Sequence, residues 1–171
     1  MLKLQAGEID AALEIPLNQM QSLGRSGAIK TEVANVLRTD FVLLNTKKKP
    51  FDDVRVRQAL NYAVDKEGLI KALLFGAGKV SNSPMPPMAY ADPTLKPYAH
   101  DIAKAKALLK EAGYADGFKT SLLVHSGRPL HRQVAQALQS ALAQIGVTAE
   151  IRLVEGGTHW STTKAGDYEM A

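Results

Sequence analysis

The residues best suited to hold a ligand follow two predicted strands of this chain. His125 and Arg128 come after one strand and directly before Pro129, where a helix is predicted to begin. An arginine at this position can pair with a carboxylate through two parallel hydrogen bonds, helped by the helix N-terminus behind it. Trp160, the chain's one tryptophan, follows the next predicted strand. Ligands of open α/β sheets bind beyond the carboxyl ends of the strands, so we predict His125, Arg128 and Trp160 as ligand-binding residues.

Each of these residues also has a purely structural explanation. Arg128 can be an ordinary surface arginine in a loop. Trp160 can wall a cleft or anchor the following helix to the core, and we favour the anchor because large aromatic side chains are usually well buried.

Signals for catalysis or for a bound metal are absent from the sequence. The chain has no cysteine, no Gly-x-Ser-x-Gly motif, and no complete phosphate-binding loop around residues 76–81. The carboxylates of Asp52 and Asp53 are better explained as helix caps than as an acid–base pair. The four histidines do not have the spacing of metal ligands: His100, His125, His131 and His159. We therefore predict that the chain is not an enzyme and holds no metal or cofactor.

The elements that position the ligand-binding residues are regular in the second half of the chain. A helix capped by Asp101 and closed by Gly113 precedes a strand over 118–124 and a helix over 129–145. A strand over 147–153, a short helix over 159–165 and an apolar run over 168–171 follow. Alternating strands and helices predict parallel pairing and an α/β fold with a sheet flanked by helices.

The first half is less regular. The pattern predicts a strand over 9–15, a helix over 16–23 and two strands within 29–45. Helices are predicted after Pro50 and again over 66–75, followed by a proline-rich loop over 79–99.

Composition limits the remaining classes of protein. With 171 residues, 46% of them hydrophobic, the chain can build one sizeable core and we predict a single domain over 1–171. The net charge is +4, but the densest basic run is only Lys47 to Lys49, so no nucleic-acid partner is predicted. No apolar run approaches the ~20 residues that span a bilayer. The first residues lack the pattern of an export signal, so we expect any such signal to lie outside this chain.

Several phrases resemble the solute-binding proteins of ABC importers, in the family that binds dipeptides, oligopeptides and nickel (family 5). The most specific phrase runs from Pro50 to Lys66, PFDDVRVRQALNYAVDK. Others are GEID at the start, AKALLKEAGY over 105–114, QIGV over 144–147 and GDYEM over 166–170, all in the family's order.

The resemblance implies a type II periplasmic-binding-protein lobe, truncated at both ends and belonging to a larger two-lobed receptor outside the cytoplasm. It implies capture of a peptide or similar small solute between the lobes and delivery to ABC permease subunits in the membrane. Arg128 has roughly the position where some dipeptide binders hold a carboxylate. Gly156 and Gly157 stand where several members carry a tryptophan after Glu155, which implies a roomier or a different pocket.

Two other functions remain as alternatives, an α/β hydrolase or transferase of unknown substrate and a module that binds nucleic acid. A nucleophile–base pair would favour the first, and one continuous basic stripe would favour the second. Because the rest of the receptor normally covers part of the lobe, we also expect the isolated chain to self-associate through uncovered apolar surface or an open sheet edge.

Overall fold

The computed structural model describes residues 2–13, 15–25, 27–34, 36–85, 92 and 94–171. Within these residues the regular elements are, in chain order, α1 (Leu2–Gln5), α2 (Leu17–Gly24), α3 (Val54–Ala63), α4 (Lys66–Leu74), α5 (Ile102–Glu111), β1 (Lys119–His125), α6 (Pro129–Ala143), β2 (Thr148–Val154) and α7 (Gly156–Ala165). None of the helices in this described part is long and apolar enough to cross a membrane.

The two strands lie side by side and run parallel, as the alternation of strands and helices predicts. Their register pairs Lys119 with Thr148 and His125 with Val154, so both strands begin and end together. Helix α6 connects them and packs against both. Central residues of β1 are buried, whereas β2 exposes several of its side chains, because β1 has neighbours on both sides.

The neighbour on the other side of β1 is the last segment of the chain. Met170 pairs with Leu122 in a parallel bridge and with Leu44 in an antiparallel bridge. The amide of Leu43 donates to Ala171, and that of Ala171 donates back to Leu43, at 2.7 and 3.1 Å. The sheet is therefore mixed, and the final apolar run of the sequence takes part in it as a strand would.

Aspartates cap the N-termini of three helices, α3 and α5 as the sequence predicts and also α4. The side chain of Asp53 accepts from the amide of Arg55 at the start of α3, and Asp65 accepts from Gly68 in α4. Asp101 accepts from Lys104 in α5 at 2.8 Å. These bonds satisfy amides that have no partner inside the helix, and the carboxylates complement the helix dipole.

One hydrophobic core joins these elements. Helices α3 and α5 pack against each other, and α6 contacts both strands as well as α3 and α4. The largest fully buried side chains in the described residues are Phe51, Val56, Leu109 and Val147. Phe51 meets Phe118 edge-on at 5.9 Å between ring centroids, which connects the loop before α3 to the start of β1.

The strands predicted within residues 9–45 do not form in the part of that stretch that the structure describes. Residues 9–13 and 15 have no regular structure, and Glu14 lies outside the described residues. Among the residues of this stretch that are described, only Leu43 to Asn45 pair with another segment as a strand does. Alternating apolar residues make a strand only where a second strand supplies hydrogen-bond partners. Several of these side chains are exposed instead: Leu13, Val33, Val36, Leu37 and Phe41.

Candidate functional site

The junctions that carry the predicted ligand-binding residues lie at one edge of the sheet. β1 and β2 end opposite each other, and the amide of Ser126 donates to the carbonyl of Val154 at 2.8 Å. Helix α6 begins three residues beyond Ser126, and α7 begins two residues beyond Val154. Two parallel strand ends and two helix N-termini therefore form this edge, which we call the carboxyl edge.

Neither helix at the carboxyl edge is capped by a side chain. Arg128 occupies the N-cap position of α6 and Glu155 that of α7, and neither makes a side-chain hydrogen bond to the helix. This differs from α3, α4 and α5, which aspartates cap. The amides of the first turn of α7 have no acceptor within the helix, and both helix dipoles place positive potential here. The carboxyl edge is suited to an anionic group.

The exposed charges at this edge are of both signs. Arg128 and Glu155 are exposed, and among the described residues no carboxylate forms an ion pair with Arg128. Arg132, one turn further along α6, donates to the carbonyl of Ser126 at 3.4 Å. An arginine fork without a partner can bind a carboxylate, and Glu155 can bind an ammonium group.

His125 is held inside the turn between β1 and α6. Its Nδ1 accepts a hydrogen bond from the amide of Gly127 at 2.9 Å, so a neutral ring carries its proton on Nε2. The ring of His159 from α7 lies 6.2 Å away between centroids, tilted by 39°. The histidine is partly buried, and the ring belongs to the wall of the carboxyl edge.

Trp160 does not anchor α7 to the core, so the role that we favoured from the sequence is wrong. Its side chain is 70% exposed, and no residue of α7 is buried. The sequence of α7 has no continuous apolar stripe, so the helix offers the core no face against which the indole can be packed. Trp160 follows Gly156 by four residues and lies on the same side of the helix, leaving an aromatic surface open to a ligand.

Two histidines near the carboxyl edge have partners that the sequence does not predict. His159 approaches His125 although 34 residues separate them in number, and only the fold brings them together. His131 in α6 lies 3.8 Å from the carboxylate of Asp40, which also binds Arg38. Burial lowers the pKa of His131; nearby Asp40 opposes this shift, and the positive charges of Arg128 and Arg38 add to it.

The part of the chain that the structure describes offers no set of ligands for a metal ion. Among the described residues, no three histidine, aspartate or glutamate side chains are grouped as a metal site requires. The charges and hydrogen-bond donors of the carboxyl edge are suited to holding a polar organic molecule.

The architecture recurs in solved structures of type II periplasmic binding proteins. The periplasmic binding protein DppA from Helicobacter pylori, in complex with the peptide STSA, is 35% identical with a TM-score of 0.89, over 99% of this chain and 33% of that one. NikA from Brucella suis, in complex with Fe(III)-EDTA, is 28% identical with a TM-score of 0.88, over 99% of this chain and 37% of that one. The chain therefore has the fold of a binding-protein lobe.

The model of the family "bacterial extracellular solute-binding proteins, family 5 middle" matches residues 1–171, so the chain belongs to this family. The glutathione-binding protein GsiB from Salmonella typhimurium strain LT2 is 37% identical over 155 residues, which is 90% of this chain and 30% of that protein. The chain thus spans about a third of the length of the curated relatives that it matches. These relatives are ABC-importer binding proteins and not enzymes, which confirms the class predicted from the sequence.

Proposed function

We propose that this chain is one lobe of a two-lobed receptor that works outside the cytoplasm. The receptor captures a small solute bearing a carboxylate and passes it to an ABC permease in the membrane. The main support is the pair of helix N-termini without side-chain caps at the carboxyl edge, beside the exposed fork of Arg128. Donors that face solvent at one place favour a carboxylate over a neutral ligand.

The relatives support the same class of solute. GsiB is named for glutathione, DppA holds the peptide STSA, and NikA holds Fe(III)-EDTA. All three of these ligands carry carboxylates, although their sizes and other groups differ. Peptides and glutathione also carry an ammonium group, for which Glu155 at the carboxyl edge is a suitable partner.

In this proposal His125, Arg128 and Trp160 have separate roles. Arg128 pairs with the carboxylate, Trp160 covers an apolar part of the solute, and His125 shapes the wall between them. The exposure of Trp160 supports its role, because an indole that the fold leaves exposed is available to be covered by a ligand. The candidates for the particular solute are glutathione, short peptides and metal chelates.

A thermal-shift screen of the full-length protein that carries this chain tests the proposal. The screen includes three classes of carboxylate solute, namely glutathione, di- and tripeptides, and metal–EDTA chelates. Its controls are neutral sugars and, for a peptide that binds, the same peptide with a C-terminal amide. A solute at about a hundred times its Kd stabilises the folded protein by about 2.7 kcal/mol. We expect a rise in Tm for one carboxylate class and none for the amide. Equal binding of acid and amide, or binding of sugars alone, contradicts the proposal.

A further inference from the structure

The ring of His125 lies against the first residue of α7. A Cβ atom added to Gly156 would lie 2.5 Å from Nε2 of His125 and 3.3 Å from Cε1. A Cβ added to Gly127 would lie 2.9 Å from Cε1 of the same ring. The distances of 2.5 Å and 2.9 Å are shorter than non-bonded contacts permit, so a side chain at residue 127 or 156 would force the ring to move. The ring occupies this place only because both residues are glycines.

The ring is also held in this place by a hydrogen bond. Because the amide of Gly127 donates to Nδ1 at 2.9 Å, rotation of the ring would break that bond. The ring of His159 lies nearby, 6.2 Å away between ring centroids. The roomier pocket that the resemblance implies at Gly156 and Gly157 is therefore partly filled, since His125 takes the space beside Gly156.

We propose that His125 determines the specificity of the solute site, by filling the space between the end of β1 and the first turn of α7. The inference rests on the proposed function, because Arg128 lies three residues beyond His125 in the same turn. The volume that the ring takes adjoins the place of the solute's carboxylate. The site then accepts solutes with a small group next to the carboxylate and excludes those with a bulky one.

Two tripeptides test this inference on the full-length protein, Ala-Ala-Gly and Ala-Ala-Leu, with their Kd values measured by calorimetry. The wild-type protein should bind the glycine-ended peptide more tightly. His125→Asn keeps an acceptor for the amide of Gly127 and removes Cε1 and Nε2. We expect it to shift the ratio of the two Kd values at least tenfold in favour of the leucine-ended peptide.

Substitutions at the glycines give a matched control. Gly156→Ala places a Cβ against the ring, whereas a Cβ on the neighbouring Gly157 meets nothing within 4 Å. Gly156→Ala should displace the ring and change the ratio of Kd values, and Gly157→Ala should leave the ratio within twofold of the wild type. Because its Cβ clashes with the ring, Gly156→Ala alone should also lower Tm. In the double variant His125→Asn with Gly156→Ala, the loss of the ring makes room for the methyl group, and most of this fall in Tm should disappear.

The results separate this inference from the proposed function. If the wild type binds neither tripeptide nor any carboxylate solute of the screen, the proposed function fails and the inference falls with it. If a tripeptide binds but the ratio of Kd values in His125→Asn stays within twofold of the wild type, the inference alone is overturned. If His125→Asn does not fold, the comparison of Gly156→Ala with Gly157→Ala decides, and equal ratios in the two variants overturn it.

Discussion

Asn45 joins the segment before α3 to the end of the chain, and its replacement should destabilise the fold strongly. It is 8% exposed, and its Nδ2 donates to the carbonyls of Gly166 and Tyr168, both at 2.9 Å. Its Oδ1 accepts from the amide of Lys47 at 3.1 Å. At about 1 kcal/mol for each of these bonds, Asn45→Ala should lower the free energy of unfolding by about 3 kcal/mol.

Asn45→Asp should lower the free energy of unfolding at neutral pH at least as much, although it only replaces the side-chain NH2 group by an oxygen. The carboxylate still accepts from Lys47, but its second oxygen faces two carbonyl oxygens and cannot donate to them. A buried charge without a partner is costly, so we expect a loss of about 3–5 kcal/mol. Burial raises the pKa of this carboxyl and its protonation restores one donor, so the loss should shrink as the pH falls through that raised pKa and be smaller at pH 5 than at pH 7.

Urea unfolding of the chain, followed by circular dichroism at pH 7 and pH 5, measures both effects. Asn18→Ala is the control, because Asn18 is exposed on α2, and its effect should stay within about 0.5 kcal/mol. If Asn45→Asp is as stable as the wild type at pH 7, the two donated hydrogen bonds do not stabilise the fold and the reasoning is wrong.

Three further predictions concern pH and the core. Burial raises the pKa of Glu169, but hydrogen bonds from Ser121 and Thr120 outweigh this effect and lower the pKa below its usual 4.5. The stability that this carboxylate contributes is therefore fully present above pH 4.5 and is lost as the pH falls through the lowered pKa. Glu169→Gln should therefore cost about 1–2 kcal/mol at pH 7 in urea unfolding and less near pH 3. Because the pKa of His131 is lowered in the folded chain, its protonation opposes folding, and stability should fall as the pH drops below about 6.5. Asp40 opposes the lowering, so Asp40→Asn should lower the pKa of His131 further in an NMR titration of the ring. Leu109→Ala, at 1% exposure, should cost about 2–5 kcal/mol in urea unfolding, whereas Leu153→Ala, at 45%, should cost below about 1 kcal/mol.

Helices were predictable from the sequence where their signals are local. Asp53, Asp65 and Asp101 each stand two or three residues before the amide that they cap, and apolar residues recur at helical spacing behind them. Parallel pairing of β1 with β2 was predictable too, because a helix of the right length separates them.

Strand pairing over long distances was not predictable. Leu43 to Asn45 have their partners at residues 169–171, and no local pattern indicates which apolar segments will meet. The apolar residues at 9–13 alternate equally well but find no partner strand among the described residues.

The candidate site was predictable in position and only partly in role. Strand ends followed by helices indicated where His125 and Arg128 lie. The exposure of Trp160 depends on what packs against α7, and the fit of His125 against Gly156 depends on two loops that meet only in the fold. The positions of His159 and Asp40 carry no signal in the sequence.

Calorimetric titration of the full-length protein, comparing Arg128→Ala with Arg152→Ala, tests the central claim most directly. Both variants lose one exposed arginine and the same charge, but Arg152 lies on β2 itself, two residues before its end, and not in the turns that form the carboxyl edge. With a carboxylate solute from the thermal-shift screen, Arg128→Ala should weaken binding at least tenfold, or about 1.4 kcal/mol, and Arg152→Ala should stay within twofold of the wild type. Unchanged binding by Arg128→Ala, or equal weakening in both variants, would contradict the assignment of the carboxyl edge as the solute site.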